Sequence, residues 1–71
     1  MTFPVAVVGY GRMGLIHARN AVENPRLSLK YLVGRNESAV KTCAQQFDGV
    51  LPITDLSVAL NDTEIKGIII C

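Results

Sequence analysis

The sequence predicts an α/β fold: a parallel sheet of four strands, with helices on both faces. Short apolar runs alternate along the 71 residues with stretches whose apolar residues recur at helical spacing, in the order β-α-β-α-β-α-β. That alternation favours parallel strands joined by right-handed crossovers. The first run leads directly into Gly9-Tyr10-Gly11-Arg12-Met13-Gly14, a glycine spacing suited to a tight turn from strand to helix. A later run contains Pro52, which cannot donate a ladder hydrogen bond and therefore belongs at a sheet edge.

Phe3 to Val8 is nearly continuous, apolar and rich in valine, as expected of a parallel strand covered on both faces. From Arg12 to about Glu23, Leu15, Ala18 and Val22 recur at helical spacing. Asn24-Pro25 ends this helix, because the residue before proline disfavours the α region. Leu27 to Val33 is the second strand, closed by Gly34 where the chain can reverse. Asn36 can cap a second helix whose apolar face carries Ala39, Val40, Cys43, Ala44 and Phe47, ending near Asp48-Gly49. Val50 to Ile53 makes a short third strand, and Thr54 can cap a short helix carrying Leu56, Ala59 and Leu60. Ile65 or Lys66 to Cys71 forms the fourth strand, centred on Ile68-Ile69-Ile70.

Composition narrows the class. Hydrophobic residues make up 49% and charged residues 18%, which argues against disorder and for a core-rich segment. A core of this size supplies only about 3–5 kcal/mol, so half of one fold fits more easily than a whole enzyme. The net charge of +1, with no Lys/Arg cluster, gives no nucleic-acid footprint. Cys43 and Cys71 lie far apart without metal-ligand spacing, so neither a disulfide framework nor a metal site is expected, and a reducing, cytoplasmic setting is the default expectation. The N-terminus lacks a secretory signature, and no apolar run approaches the ~20 residues of a membrane span.

The glycine run, placed between strand and helix, describes a seat for a dinucleotide pyrophosphate in a partial Rossmann fold of strand order 3-2-1-4, with Pro52 on its edge strand. Gly9 allows the turn, Gly11 lets the backbone approach the pyrophosphate, and Gly14 lets the helix pack close to the sheet. The amides of Arg12 and Met13 would face the phosphates. A glycine turn without ligand is the plain alternative. A kinase glycine loop fits worse, because Leu15-Ile16-His17-Ala18 continues as a helix rather than a strand.

NAD-binding forms usually place Asp or Glu at the end of the second strand, on the ribose 2′-hydroxyl. Here that place reads Gly34-Arg35-Asn36. Glycine leaves space for a 2′-phosphate and Arg35 offers it a permanently charged donor fork, so NADP is expected over NAD, which the motif also permits. An ordinary solvated loop charge is the alternative for Arg35. His17 reads as a packing or surface residue rather than a proton donor. Tyr10 and Tyr31 lack a Tyr-x-x-x-Lys spacing and read as packing or cofactor contacts. Cys43 belongs to an apolar helix face, and Cys71 could approach the cofactor at the carboxyl end of its strand.

With Val7-Val8-Gly9-Tyr10-Gly11-Arg12-Met13-Gly14 followed by His17, Asp55-Leu56 opening a short helix and Lys66-Gly67-Ile68-Ile69-Ile70, the chain resembles the N-terminal part of the Gfo/Idh/MocA family over essentially all 71 residues. This is the group of glucose-fructose oxidoreductase and inositol 2-dehydrogenase. The resemblance implies an NAD(P)-dependent oxidoreductase acting on a sugar, cyclitol or related hydroxy compound, with hydride passing between C4 of the nicotinamide and a carbinol carbon.

The chain departs from the family at Gly34, where many members carry aspartate. The family's Glu-Lys-Pro segment, its acid/base residues and its substrate domain would lie after Cys71. The chain is thus expected to be the front of a longer, homo-oligomeric enzyme, to hold no catalytic residue and to be inactive alone. Ile68, Ile69 and Ile70 would form an open apolar margin that favours self-association. A non-catalytic NAD(P)-binding sensor or assembly module, and an inactive truncated product, are the other readings.

Overall fold

In the computed structural model, which describes residues 2–9 and 11–70 and, for residues 12 and 13, the backbone alone, β1 (Phe3–Val8) lies inside a parallel sheet. It is followed by α1 (Arg12–Glu23), β2 (Leu27–Val33), α2 (Glu37–Ala44), β3 (Leu51–Ile53), α3 (Leu56–Leu60) and β4 (Gly67–Ile70). The strand order is β3-β2-β1-β4 and every pairing is parallel, as expected from the sequence. Pro52 sits in the outer strand β3, opposite Leu32.

Alternation along β1 divides the core between the two faces of the sheet. Val5 and Val7 meet Ala18 and Ala21 of α1 and Val40 and Ala44 of α2 on one face. Ala6 joins Tyr31, Val33 and Ala59 of α3 on the other, with Val8 packed alongside. Helices therefore cover both faces, and β1 is buried on each, which is why its sequence is valine-rich rather than alternating.

β2 carries an irregularity. Val5 pairs with Leu29 and Ala6 with Tyr31, so Lys30 is a surplus residue with no partner on β1. The bulge inverts the alternation. Leu29 before it and Leu32 after it share the α1/α2 face, although they are three positions apart.

Several local expectations are corrected. The face of α1 that meets the sheet runs through Gly14, Ala18 and Ala21, while Val22 is 46% exposed. The contact of Gly14 with the turn sets the helix rotation, and residues four and seven positions later then face the strands. α2 ends at Ala44 rather than near Asp48-Gly49. Beyond it the bonds shorten to the three-residue kind, Gln46 N–H to the Cys43 carbonyl and Phe47 N–H to the Ala44 carbonyl, and Gly49 at φ 75° turns the chain. β3 begins at Leu51 rather than Val50.

The cap of α3 is Asp55 rather than Thr54. Its carboxylate accepts from the Ser57 amide and hydroxyl at 2.9 and 2.7 Å. Leu60, expected on the apolar face of α3, is exposed. Cys71 and Tyr10 lie outside the described residues.

Candidate functional site

The chain winds from β1 outward to β2 and β3, then returns so that β4 lies on the other side of β1. Such a switch in strand order opens a crevice at the carboxyl ends of the strands, beside β1. The glycine turn stands there. Gly9 has φ 125°, a conformation that side chains resist, and its amide donates to the Val33 carbonyl at 2.8 Å.

Gly11 and Gly14 serve the turn in different ways. A Cβ on Gly14 would overlap the carbonyl carbon and oxygen of Gly9, so α1 can rest on the turn only with glycine there. A Cβ on Gly11 would meet nothing within 4 Å. Gly11 thus borders open space, while Gly14 is pressed against backbone.

The heads of the three helices differ. α2 is capped by Asn36, whose Oδ1 accepts from the Ala39 amide at 3.0 Å, with Glu37 in its first turn. α3 is capped by Asp55, whose carboxyl is held below its ordinary pKa by hydrogen bonds from the Ser57 hydroxyl and amide. α1 begins at Gly11 with no side-chain cap and no acid in its first turn. Its first intrahelical bond is Leu15 N–H to the Gly11 carbonyl at 2.8 Å, so the amides of Arg12, Met13 and Gly14 have no partner within the helix. Their side chains apart, Arg12 and Met13 thus stand where the sequence places them, at the first turn of α1.

At the end of β2, Gly34 is buried, and its amide donates to the Ile53 carbonyl of β3 at 3.0 Å. Arg35 is exposed beside it. Asn36 follows, with its side-chain oxygen committed to the α2 cap. The sequence-derived candidates therefore form two groups at one end of the sheet, joined by the bond from Gly9 to Val33. A groove of about 450 Å³ opens next to the second group, between α2, β3 and the head of α3, with Glu37, Lys41 and Asp55 among its lining residues.

His17 is half-buried on α1, and Cys43 is half-buried against the core. Tyr31 is a packing residue whose Oη donates to Asp62 Oδ2 at 2.7 Å. Sequence reading missed the cluster to which it belongs. Lys30 Nζ lies 2.5 Å from the same Asp62 oxygen and 3.9 Å from Glu64 Oε2. These donors, Lys30 first and Tyr31 next, hold the Asp62 carboxyl down to about 2. The available signal was the break in alternation at Lys30, where Leu-Ser-Leu gives way to Tyr-Leu-Val. Among the described residues no group of three or more His, Cys, Asp or Glu is placed to hold a metal, and no helix is long and apolar enough to cross a membrane.

Known proteins with the same arrangement give this geometry a context. The family model described as "Oxidoreductase family, NAD-binding Rossmann fold" matches residues 3–71. GenD2 from gentamicin A biosynthesis, crystallised in complex with NAD, is 34% identical with a TM-score of 0.92, over 99% of this chain and 20% of its own. A myo-inositol dehydrogenase from Corynebacterium glutamicum is 27% identical with a TM-score of 0.88, over 99% of this chain and 21% of its own. Myo-inositol dehydrogenase from Lactobacillus casei, in complex with NAD(H) and myo-inositol, shares the fold with a TM-score of 0.89 at 19% identity, over 100% of this chain and 22% of its own. The chain therefore spans about one fifth of the length of these structures. No curated protein matches it as a relative. With the family model covering nearly every residue and the glycine turn in place at the switch of strand order, the chain belongs to the Gfo/Idh/MocA oxidoreductase family, of which it carries the NAD-binding Rossmann fold.

Proposed function

We propose that the chain is the cofactor-binding region of an oxidoreductase that passes hydride between NADP(H) and a carbinol carbon of a sugar, cyclitol or related hydroxy compound. The observation that carries this reading is the open head of α1, whose first amides are unpartnered within the helix at the crevice beside β1. The residues present fit a dinucleotide. Gly11 has open space where a side chain would stand, which lets a pyrophosphate reach the backbone. The amides of Arg12 and Met13 would hold the phosphate oxygens, with the positive end of the helix dipole behind them.

When bound, the nicotinamide supplies the carbon that carries hydride. The residues of this chain bind and orient; none is given an acid or base role. At the ribose end Gly34 omits the carboxylate that would repel a 2′-phosphate, and exposed Arg35 offers it a charged donor fork. The substrate class is supported by the likeness to a myo-inositol dehydrogenase at 27% identity.

A second reading, NAD(H), is favoured by the NAD complex of GenD2 and by the groove beyond Gly34, whose lining includes two carboxylates and one lysine. Fluorescence titration of the protein with NADPH and NADH separates the two. We expect tighter NADPH binding, and Arg35→Ala should weaken it about tenfold or more, the worth of a charge-assisted hydrogen bond, while sparing NADH. Equal affinities, or an NADH preference indifferent to Arg35→Ala, would overturn the NADP(H) assignment. Gly11→Val should abolish binding of both nucleotides, and retained binding would remove the pyrophosphate seat itself.

A further inference from the structure

The last three residues of β2 are buried on either face, with Tyr31 8%, Leu32 1% and Val33 3% exposed. In such a stretch hydrophobicity alone cannot fix register, because a one-residue slip exchanges one apolar side chain for another. The surplus residue at Lys30 makes the question acute, since a bulge can shift along a strand unless something pins it. Lys30 and Tyr31 are consecutive and in a regular pleat would point to opposite faces. Across the bulge both reach one oxygen of Asp62, in the connection between α3 and β4.

We propose that the Lys30–Tyr31–Asp62 cluster is a positioning device that pins the bulge, fixes the register of the end of β2, and so determines that Gly34 rather than a neighbour faces the cofactor ribose. Only the last part rests on the cofactor reading above. Register itself is reported by two bonds beyond the bulge, Gly9 N–H to the Val33 carbonyl and Gly34 N–H to the Ile53 carbonyl. Polar groups set among apolar ones are best attested in this registry role.

The test is amide hydrogen exchange in the Tyr31→Phe/Asp62→Asn double variant, and in the same variant with Lys30 deleted. Deletion removes the surplus residue while leaving Leu29 opposite Val5 and position 31 opposite Ala6, so it should restore a single register without the cluster. In the double variant the Gly9 and Gly34 amides should lose about tenfold or more of their protection relative to the interior of α1, and regain it on deletion. The ratio of NADPH to NADH dissociation constants should move toward unity and return in parallel. Tyr31→Phe alone, which keeps the Lys30–Asp62 pair, should give a smaller loss at the same two amides and serves if the double variant does not fold. Unchanged protection at Gly9 and Gly34, or a loss spread evenly over the sheet and α1 as for a merely structural cluster, would overturn the proposal. Should the exchange pattern appear while the parent protein binds neither nucleotide, the cofactor reading fails and the register device remains.

Discussion

Gly11 and Gly14 stand three positions apart and answer substitution differently. Gly14→Ala places a methyl group on the backbone of Gly9, and overpacking of this kind costs about 1–3 kcal/mol. Its melting temperature should fall, because α1 must lift from the turn. Gly11 has φ −71° and open space beyond it, so Gly11→Ala should melt close to the parent while binding dinucleotide more weakly. Thermal melts paired with nucleotide titration check both. Asp62 provides a pH signature. Its carboxyl is depressed from 3.8 to about 2, so the stability it contributes is present above pH 3.8 and is lost as the pH falls toward 2. Asp62→Asn should flatten the acid limb of stability over that window. Lys30 and Tyr31 are both raised by Asp62, so their contribution is present below pH 10.0 and is lost as the pH climbs above it, on a base limb that the same substitution removes.

At the scale of elements, α2 depends on a cap that its sequence announces. Asn36→Ala should destabilise the protein by about 1 kcal/mol, read from thermal or denaturant melts, because the Ala39 amide loses its acceptor. Asn36, the valine-rich β1 and edge-strand Pro52 were all legible because each expresses a local physical demand: a cap, burial on both faces, a missing donor. The two glycine tasks were legible for the same reason. What stayed hidden depends on contacts that residue type and spacing do not reveal. The rotation of α1 follows from Gly14 meeting Gly9, so Ala21 rather than Val22 turns inward. The bulge at Lys30 shows in Leu27 to Val33 only as a break in alternation, and the Asp62 that Lys30 and Tyr31 meet lies more than thirty positions away. Thr54 and Asp55 are both good caps by type, and only the position of the Ser57 hydroxyl and amide selects Asp55.

At the scale of the molecule, the two outer strands are guarded unequally, and this governs how the 71 residues behave by themselves. β3 is three residues long and carries Pro52, two features that blunt pairing with another chain. β4, Gly67–Ile70, carries no proline. It presents Gly67 to Ile70 on the outside of β1, with Ile70 75% exposed and Leu60 of the adjoining α3 also open. An apolar outer strand with unpaired amides and carbonyls is a template for strand addition. We therefore expect the 71-residue chain to sediment above monomer mass, in a concentration-dependent manner. Ile70→Lys should shift it toward monomer by placing charge on that margin. Leu51→Lys, on the edge guarded by Pro52, should change little. A parent chain that sediments as a monomer and melts cooperatively would show that β4 is not adhesive. Equal rescue by the two lysine substitutions would trace association to apolar exposure in general rather than to the β4 edge.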